Sequence, residues 1–150
     1  MKSNAHILLV EDNADNIALM KHAIKKCNID VDMEVARDGK QAYDYLFGEG
    51  EYADRDAAAA PPRLIILDLK MPRMSGLELL PILRENPLMR TIPIIIFSTS
   101  ISREDIVASY DLGVNSFIRK PIDSGEFTMV IENLMRYWLS LNVTVLDGAE

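Results

Sequence analysis

At residues 64–68 the chain carries the stretch Leu64-Ile65-Ile66-Leu67-Asp68, four apolar residues followed by a carboxylate. An unbroken apolar run of this length is typical of a strand buried on both faces, as in a parallel sheet covered by helices. Two further runs end in polar groups: Ile7-Leu8-Leu9-Val10 precedes Glu11-Asp12, and Ile94-Ile95-Ile96-Phe97 precedes Ser98-Thr99-Ser100. Because ligands bind outside the carboxyl ends of the strands in such sheets, we expect the functional site at this edge.

Strand and helix patterns alternate five times along the chain, which predicts an α/β fold with a parallel sheet between two layers of helices. The predicted strands are 6–10, 31–36, 64–67, 93–97 and 115–118. The predicted helices begin at Asp12 or Asn13, after Asp38-Gly39, at Ser75-Gly76, at Ser102 and at residue 123, and the last one runs to residue 140. Pro81 is expected to kink the third helix unless it lies in the first turn or two.

Residues 1–150 are predicted to form a single domain, with its core at about 5–140, a tail at 141–150 and no output domain. Residues 48–62 contain a run of four alanines followed by two prolines, which favours an exposed, mobile loop before the third strand. The tail residues Leu141–Leu146 are rich in apolar side chains for which the pattern offers no burial site.

The composition excludes several classes of function. The net charge is −7 with no basic block, so neither nucleic acid nor an anionic membrane surface is an expected partner. No apolar run reaches the length of a membrane span. The single cysteine, Cys27, cannot form an internal disulfide, and we therefore expect a cytoplasmic protein.

The polar residues at the strand ends have the chemistry of phosphoryl transfer. Glu11, Asp12 and Asp68 would repel one another without a cation, and an all-oxygen ligand set suits Mg²⁺. Lys120, just after the fifth strand, offers a point charge for a phosphoryl oxygen, and Ser98 offers a hydroxyl donor. Catalysis of phosphoryl transfer consists mainly of positioning and charge neutralisation, and a carboxylate is a known acceptor.

Three blocks of the sequence resemble the receiver domains of two-component response regulators. They are Leu8-Leu9-Val10-Glu11-Asp12-Asn13, Leu67-Asp68-Leu69-Lys70-Met71-Pro72-Arg73-Met74-Ser75-Gly76 and Phe117-Ile118-Arg119-Lys120-Pro121. The resemblance covers about residues 5–138, with the family's spacing between blocks. It implies a flavodoxin-like three-layer sandwich with strand order 2-1-3-4-5, and a signalling protein that accepts a phosphoryl group from a histidine kinase rather than an enzyme.

The resemblance also assigns roles to individual residues. Asp68 would be the phosphoacceptor, and Glu11, Asp12, Asp68 and the backbone carbonyl of Lys70 would hold Mg²⁺. Lys120 would pair with the phosphoryl group, and the bond between it and the next residue, Pro121, is often cis in the family.

The switch residues follow from the same resemblance. The family's usual interval from Lys120 points to Ser98 as the hydroxyl that moves towards the phosphoryl group, although strand alternation alone does not choose between Ser98 and Ser100. The aromatic residue that turns inward behind the hydroxyl matches Phe117, which lacks the hydroxyl of the more common tyrosine. Phosphorylation would change a surface formed by the fourth helix, the fifth strand and the fifth helix.

A narrower resemblance is to the stand-alone regulators paired with bacterial phytochrome kinases. It rests on the long loop before the third strand and on Ser98-Thr99-Ser100-Ile101, Ser109-Tyr110-Asp111-Leu112 and Tyr137-Trp138-Leu139-Ser140. In that group the last helix and its tail commonly form a homodimer, so a dimer surface at Phe127, Ile131, Leu134 and Trp138 is predicted.

Two alternative functions remain open at this point. A Mg²⁺-dependent phosphohydrolase of the haloacid dehalogenase type would also use an aspartyl-phosphate, but it commonly has a second aspartate where this chain has Lys70. A pseudo-receiver, a binding module that is never phosphorylated, is disfavoured by the complete set of acids, hydroxyl and lysine.

Overall fold

The parallel sheet predicted from the apolar runs is confirmed by a computed structural model, which describes residues 5–55 and 61–147. The five strands are β1 (Ala5–Val10), β2 (Val31–Ala36), β3 (Leu64–Leu67), β4 (Ile94–Ser98) and β5 (Ser116–Arg119). They form one parallel sheet in the order β2-β1-β3-β4-β5. The flavodoxin-like fold class with order 2-1-3-4-5 is therefore confirmed.

Each strand is followed by a helix: α1 (Ala14–Lys26), α2 (Gly39–Phe47), α3 (Gly76–Glu85), α4 (Arg103–Asp111) and α5 (Ser124–Arg136). Each of these five helices starts with a side-chain cap, which satisfies a free backbone N–H. The capping residues are Asn13, Asp38, Ser75, Ser102 and Asp123. Asn13, rather than Asp12, caps α1, which leaves the Asp12 carboxylate available to the site.

Two apolar clusters cover the two faces of the sheet. One joins the sheet to α2 and α3, and the other joins it to α1 and α5. The strands β3 and β4 are buried throughout, as two-sided coverage requires. Pro81 lies in the second turn of α3, and the helix continues through it to Glu85.

Two predicted boundaries differ from the structure. The fifth strand begins at Ser116 rather than residue 115, because the Asn115 side chain accepts hydrogen bonds from the backbone N–H of Ile94 and from Arg84. The last α-helix ends at Arg136, and Tyr137–Leu141 form a wider helical turn closed by a hydrogen bond from Asn142 N to Tyr137 O at 2.7 Å.

The side chains predicted as a dimer surface need a correction. Phe127, Ile131 and Leu134 are at most 4% exposed, because the apolar face of α5 packs against the sheet. They form core rather than an accessible surface, and Trp138 is half-buried beside them. The exposed apolar side chains of this region are Met129, Tyr137, Leu141, Val143, Val145 and Leu146.

The loop before β3 is better anchored than its composition predicts. A short helical turn at Gly50–Tyr52 places Tyr52 edge-on against Tyr45 of α2, and the Arg55 guanidinium lies 3.9 Å from the centre of the Tyr45 ring. Residues 56–60 of the predicted mobile loop lie outside the described residues, as do the last three residues of the tail. Within the described ranges, no helix combines the length and the apolar character that crossing a membrane requires.

Candidate functional site

Three carboxylates meet at the carboxyl edge of the sheet, where the ends of β1 and β3 lie side by side. Glu11 and Asp12 follow β1, Asp68 follows β3, and one oxygen from each lies within 4.8 Å of the others. Their environments differ: Glu11 is buried, Asp68 is half-buried and Asp12 is exposed. Because the strands are parallel and adjacent, this convergence follows directly from the sheet order.

Lys120 lies between two of these acids. Its Nζ donates to Glu11 Oε1 at 2.5 Å and to Asp68 Oδ2 at 3.1 Å, and the lysine is only 5% exposed. A hydrogen bond from its backbone N–H to the carbonyl of Ser98 at 2.8 Å fixes the segment after β5 against β4. No cis peptide bond occurs in the described residues, so the Lys120–Pro121 bond is trans.

Burial raises the pKa of the Glu11 carboxyl, although the hydrogen bond and charge of Lys120 act in the opposite direction. The charge of Asp68 adds to the increase. The second oxygen of Glu11 accepts a hydrogen bond from the backbone N–H of Asn13 at 3.2 Å. With all groups ionised, three carboxylates and one ammonium leave the site with excess negative charge, which suits a divalent cation.

The two hydroxyl candidates at the end of β4 have different surroundings. Ser98 is 2% exposed, and its Oγ accepts a hydrogen bond from the backbone N–H of Ser100 at 3.2 Å. The hydroxyl of Ser100 instead donates to Asp105 Oδ2, on the first turn of α4, at 3.0 Å. Ser98 is therefore the buried hydroxyl of the two, and its backbone carbonyl accepts from the backbone N–H of Lys120, whereas the hydroxyl of Ser100 points towards α4.

Phe117 and Lys70 lie at the margins of the site. Phe117 pairs with Ile96 in the sheet and is half-buried against the cluster on the α2–α3 face. Lys70 belongs to the loop between β3 and α3, and its side chain is 74% exposed, with Nζ at 3.9 Å from Asp105 Oδ2.

Sequence reasoning missed a second set of charged residues close to the acids. Arg37 Nη2 donates to the backbone carbonyl of Asp12 at 3.3 Å, and Arg73 pairs with Asp38. Asp38 was interpreted only as part of a turn. The available signal was its position at the end of β2, on the same edge of the sheet as the acids.

The sequence of this chain is similar to those of known proteins. The sequence model of the family described as "Response regulator receiver domain" matches residues 7–132. The response regulator Rcp1 of Synechocystis sp. (strain PCC 6803) is 33% identical over 133 residues, covering 89% of this chain and 88% of Rcp1.

Two solved structures have the same fold. The phosphorylated cyanobacterial phytochrome response regulator RcpA superposes with a TM-score of 0.87 at 36% identity, covering 95% of this chain and 99% of RcpA. The Mn²⁺-bound form of Rcp1 superposes with a TM-score of 0.84 at 31% identity, covering 93% of this chain and 98% of Rcp1. This chain therefore resembles the phytochrome response regulators in sequence and in structure.

Proposed function

Because the chain belongs to the response regulator receiver domain family, we propose that it is a signalling switch in which Asp68 accepts a phosphoryl group from a histidine kinase. The observation that carries this proposal is the position of Asp68 close to two other carboxylates and hydrogen-bonded to a buried lysine. In the transfer, a carboxylate oxygen of Asp68 forms a bond to phosphorus as the bond from phosphorus to the kinase imidazole nitrogen breaks. The electron pair of the broken bond stays on that nitrogen.

Mg²⁺ is the cofactor that best fits the acidic cluster. Glu11, Asp12 and Asp68 supply the side-chain oxygens, and the Lys70 backbone carbonyl is assigned as a further ligand. The oxygen-only donor set within 4.8 Å supports a hard divalent cation, and Rcp1 has been solved with Mn²⁺ bound. When bound, the cation supplies positive charge opposite the phosphoryl oxygens.

Two residues of the chain itself are assigned to the phosphoryl oxygens. Lys120 is buried and already shared between Glu11 and Asp68, so its ammonium needs only a small displacement to pair with a phosphoryl oxygen on Asp68. Ser98 donates its hydroxyl hydrogen to a second phosphoryl oxygen. The contact with Ser100 does not use this hydrogen, because there Ser98 Oγ accepts from the backbone N–H of Ser100.

The test is phosphorylation of Asp68→Asn with a labelled small-molecule phosphodonor and Mg²⁺. We expect the parent chain to acquire a hydroxylamine-labile label and the variant to acquire none. Asp111→Asn is the matched control, because it makes the same change at an exposed position on α4. A label retained in Asp68→Asn would refute the assignment, and multiple-turnover hydrolysis of ordinary phosphate esters by the parent chain would favour a phosphohydrolase instead.

The proposed kinase is of the phytochrome type. We place the protein in the cytoplasm, beside the catalytic domain of that kinase. The support comes from the named relatives, among which RcpA is a phytochrome response regulator. A phosphotransfer profile against the histidine kinases of one cell tests this choice. Transfer from a phytochrome-type kinase should be at least tenfold faster than from the others, and equal rates would contradict the pairing.

The proposed output surface consists of α4, β5 and α5. Within Arg103–Asp111, only Ser109 is buried, so α4 packs more loosely than the other helices and rearranges at lower cost. Val107 and Tyr110 of α4 are about half exposed and form apolar contact area for a partner. Phosphorylation would act by shifting the equilibrium between two arrangements of this surface.

We also propose a homodimer through the end of the last helix and the tail. The exposed apolar residues Tyr137, Leu141, Val143, Val145 and Leu146 support it, because such a run is unfavourable in water unless covered. Sedimentation at micromolar concentration should give a dimer for the full chain and a monomer after truncation behind Ser140. A monomeric full-length chain would contradict the proposal.

A further inference from the structure

The turn between β2 and α2, residues 36–39, touches the acidic cluster from the side of β1. The backbone N–H of Glu11 donates to the carbonyl of Ala36 at 2.9 Å. The next residue, Arg37, donates from Nη2 to the carbonyl of Asp12 at 3.3 Å. Both acids that follow β1 are therefore held through their backbone by this one turn.

The same turn also holds the loop on the other side of the cluster, residues 69–75 between β3 and α3. Arg73 of this loop donates from Nε to Asp38 Oδ2 at 2.7 Å, and its Nη2 contacts the same oxygen. The backbone N–H of Gly39 donates to the carbonyl of Met74 at 2.9 Å. The contact is so close that a Cβ on Gly39 would lie 2.2 Å from that carbonyl oxygen.

Only one of the two carboxylate oxygens of Asp38 caps α2. Oδ1 accepts from the backbone N–H of Gln41 at 2.8 Å, which is the cap, whereas Oδ2 reaches a residue 35 positions along the chain. Asp38 is 4% exposed. Burial alone would raise its pKa, but the hydrogen bonds from Gln41 and Arg73 lower the pKa overall, so the group is a carboxylate at neutral pH.

The backbone of Arg73 gives independent evidence that this loop is held in place. Its φ is +65°, in the left-handed region that residues with a Cβ rarely adopt. A conformation of this kind persists where surrounding contacts hold it, and such residues cluster at functional sites. The contacts to Arg73 and Met74 are the ones that tie the loop to the start of α2.

We infer that Asp38 and Arg73 form a positioning pair for the cation site. By fixing loop 69–75 against the β2–α2 turn, the pair sets the distance between the Lys70 carbonyl and the acids Glu11 and Asp12. Neither residue of the pair touches the cation or the phosphoryl group. This inference rests on the proposed function, because the proposed function makes the Lys70 carbonyl a ligand of the cation.

Two variants separate positioning from folding. Asp38→Asn keeps a good helix cap and removes the charge that pairs with Arg73. Arg73→Ala removes the partner, whose side chain is 67% exposed, so the fold has little packing to lose. The measurement is the rate of Asp68 phosphorylation by a small-molecule phosphodonor as a function of Mg²⁺ concentration. Lys40→Ala, which removes an exposed cation of α2 paired with Asp44, is the matched control.

We expect the half-saturating Mg²⁺ concentration to rise about tenfold in both variants, the lower end of the range for residues that orient metal ligands. The maximal rate at saturating Mg²⁺ should stay unchanged. The double variant should be no worse than either single variant, because both changes break the same contact. Lys40→Ala should match the parent chain.

Either of two results would overturn the inference. One is a half-saturating concentration equal to that of Lys40→Ala, and the other is a fall in the maximal rate with no change in the Mg²⁺ requirement. Calorimetric titration with Mg²⁺ alone, without phosphodonor, distinguishes this failure from failure of the proposed function. A parent chain that binds Mg²⁺ but is never labelled would reject phosphorylation, while the affinities of the variants would still decide the role of the pair.

Discussion

Replacing Lys120 with methionine keeps most of the side-chain volume but removes the ammonium that lies between two carboxylates. Glu11 is 2% exposed and Lys120 is 5% exposed, so the charge of Glu11 would be left buried with no cation beside it. Removing one partner of a buried ion pair costs about 3–5 kcal/mol of folding free energy. Because Asp68 is half-buried and keeps some hydration, we expect a loss at the lower end, about 3 kcal/mol.

Urea denaturation at pH 8 with a chelator present measures this loss. For a denaturant slope of about 2 kcal/mol per molar urea, the midpoint should fall by about 1.5 M. The pKa of Glu11 is raised by burial in the parent chain and should rise further without Lys120. The destabilisation is therefore present above the folded-state pKa of Glu11 and is lost as the pH falls through that value, when the carboxyl becomes neutral.

Mg²⁺ should reverse part of the effect, because a divalent cation replaces the missing positive charge. The midpoint of Lys120→Met should rise more on addition of Mg²⁺ than the midpoint of the parent chain. The matched control is Lys40→Met, which removes an exposed lysine and should leave the midpoint unchanged. A loss below about 1 kcal/mol at pH 8, the value typical of exposed pairs, or a loss independent of pH, would refute the reasoning.

Three further predictions concern neighbouring parts of the fold. Gly39→Ala should lower the free energy of unfolding by about 2–3 kcal/mol, measured by urea denaturation, because its Cβ would overlap the carbonyl of Met74. Asn115→Ala should cost about 2 kcal/mol and speed amide exchange at Ile94, whose buried N–H loses its acceptor; unchanged exchange would contradict this. Mg²⁺ affinity, measured by calorimetric titration, should fall as the pH drops, because the carboxylate ligands become protonated. The fall should begin above the ordinary glutamate pKa of 4.5, because burial raises the pKa of Glu11. Glu11→Gln should weaken Mg²⁺ binding and remove the part of the pH dependence that comes from Glu11.

The sequence predicted the sheet and the acidic cluster because both follow from local patterns. Apolar runs mark β1, β3 and β4, and parallel order brings the carboxyl ends of these strands together. The caps are equally local, since Ser102 and Asp105 lie three residues apart and the backbone N–H of Asp105 donates to Ser102 Oγ within the first turn of α4. Glu11 and Asp68 could therefore be placed at one edge without knowledge of any side-chain conformation.

The long-range contacts of the fold could not be predicted in the same way. Asp38 and Arg73 are 35 residues apart, and Arg63 and Asp147 are 84 apart, so no periodicity links the partners. The predicted dimer residues follow from the resemblance to regulators in which the last helix forms a homodimer, and Phe127, Ile131 and Leu134 lie on the apolar stripe of α5. An apolar stripe occurs both on a helix that packs against the core and on one that binds a partner. In this fold the apolar stripe of α5 packs against the sheet.

Two hydrogen bonds connect Ser98, at the edge with the proposed phosphoacceptor, to the proposed output surface. Ser98 Oγ accepts from Ser100 N, and the Ser100 hydroxyl donates to Asp105 in the first turn of α4. If Ser98 turns its hydroxyl towards a phosphoryl group on Asp68, the acceptor of Ser100 N is lost and the link to Asp105 is displaced with it. Only Ser109 is buried in α4, so the loss of a few hydrogen bonds should shift this helix more readily than a helix with several buried residues. A ligand shifts an equilibrium only by as much as its affinity differs between the two states. In this chain, the hydrogen bonds from Ser98 to Asp105 would make that affinity depend on the position of α4, the α-helix with the fewest buried residues.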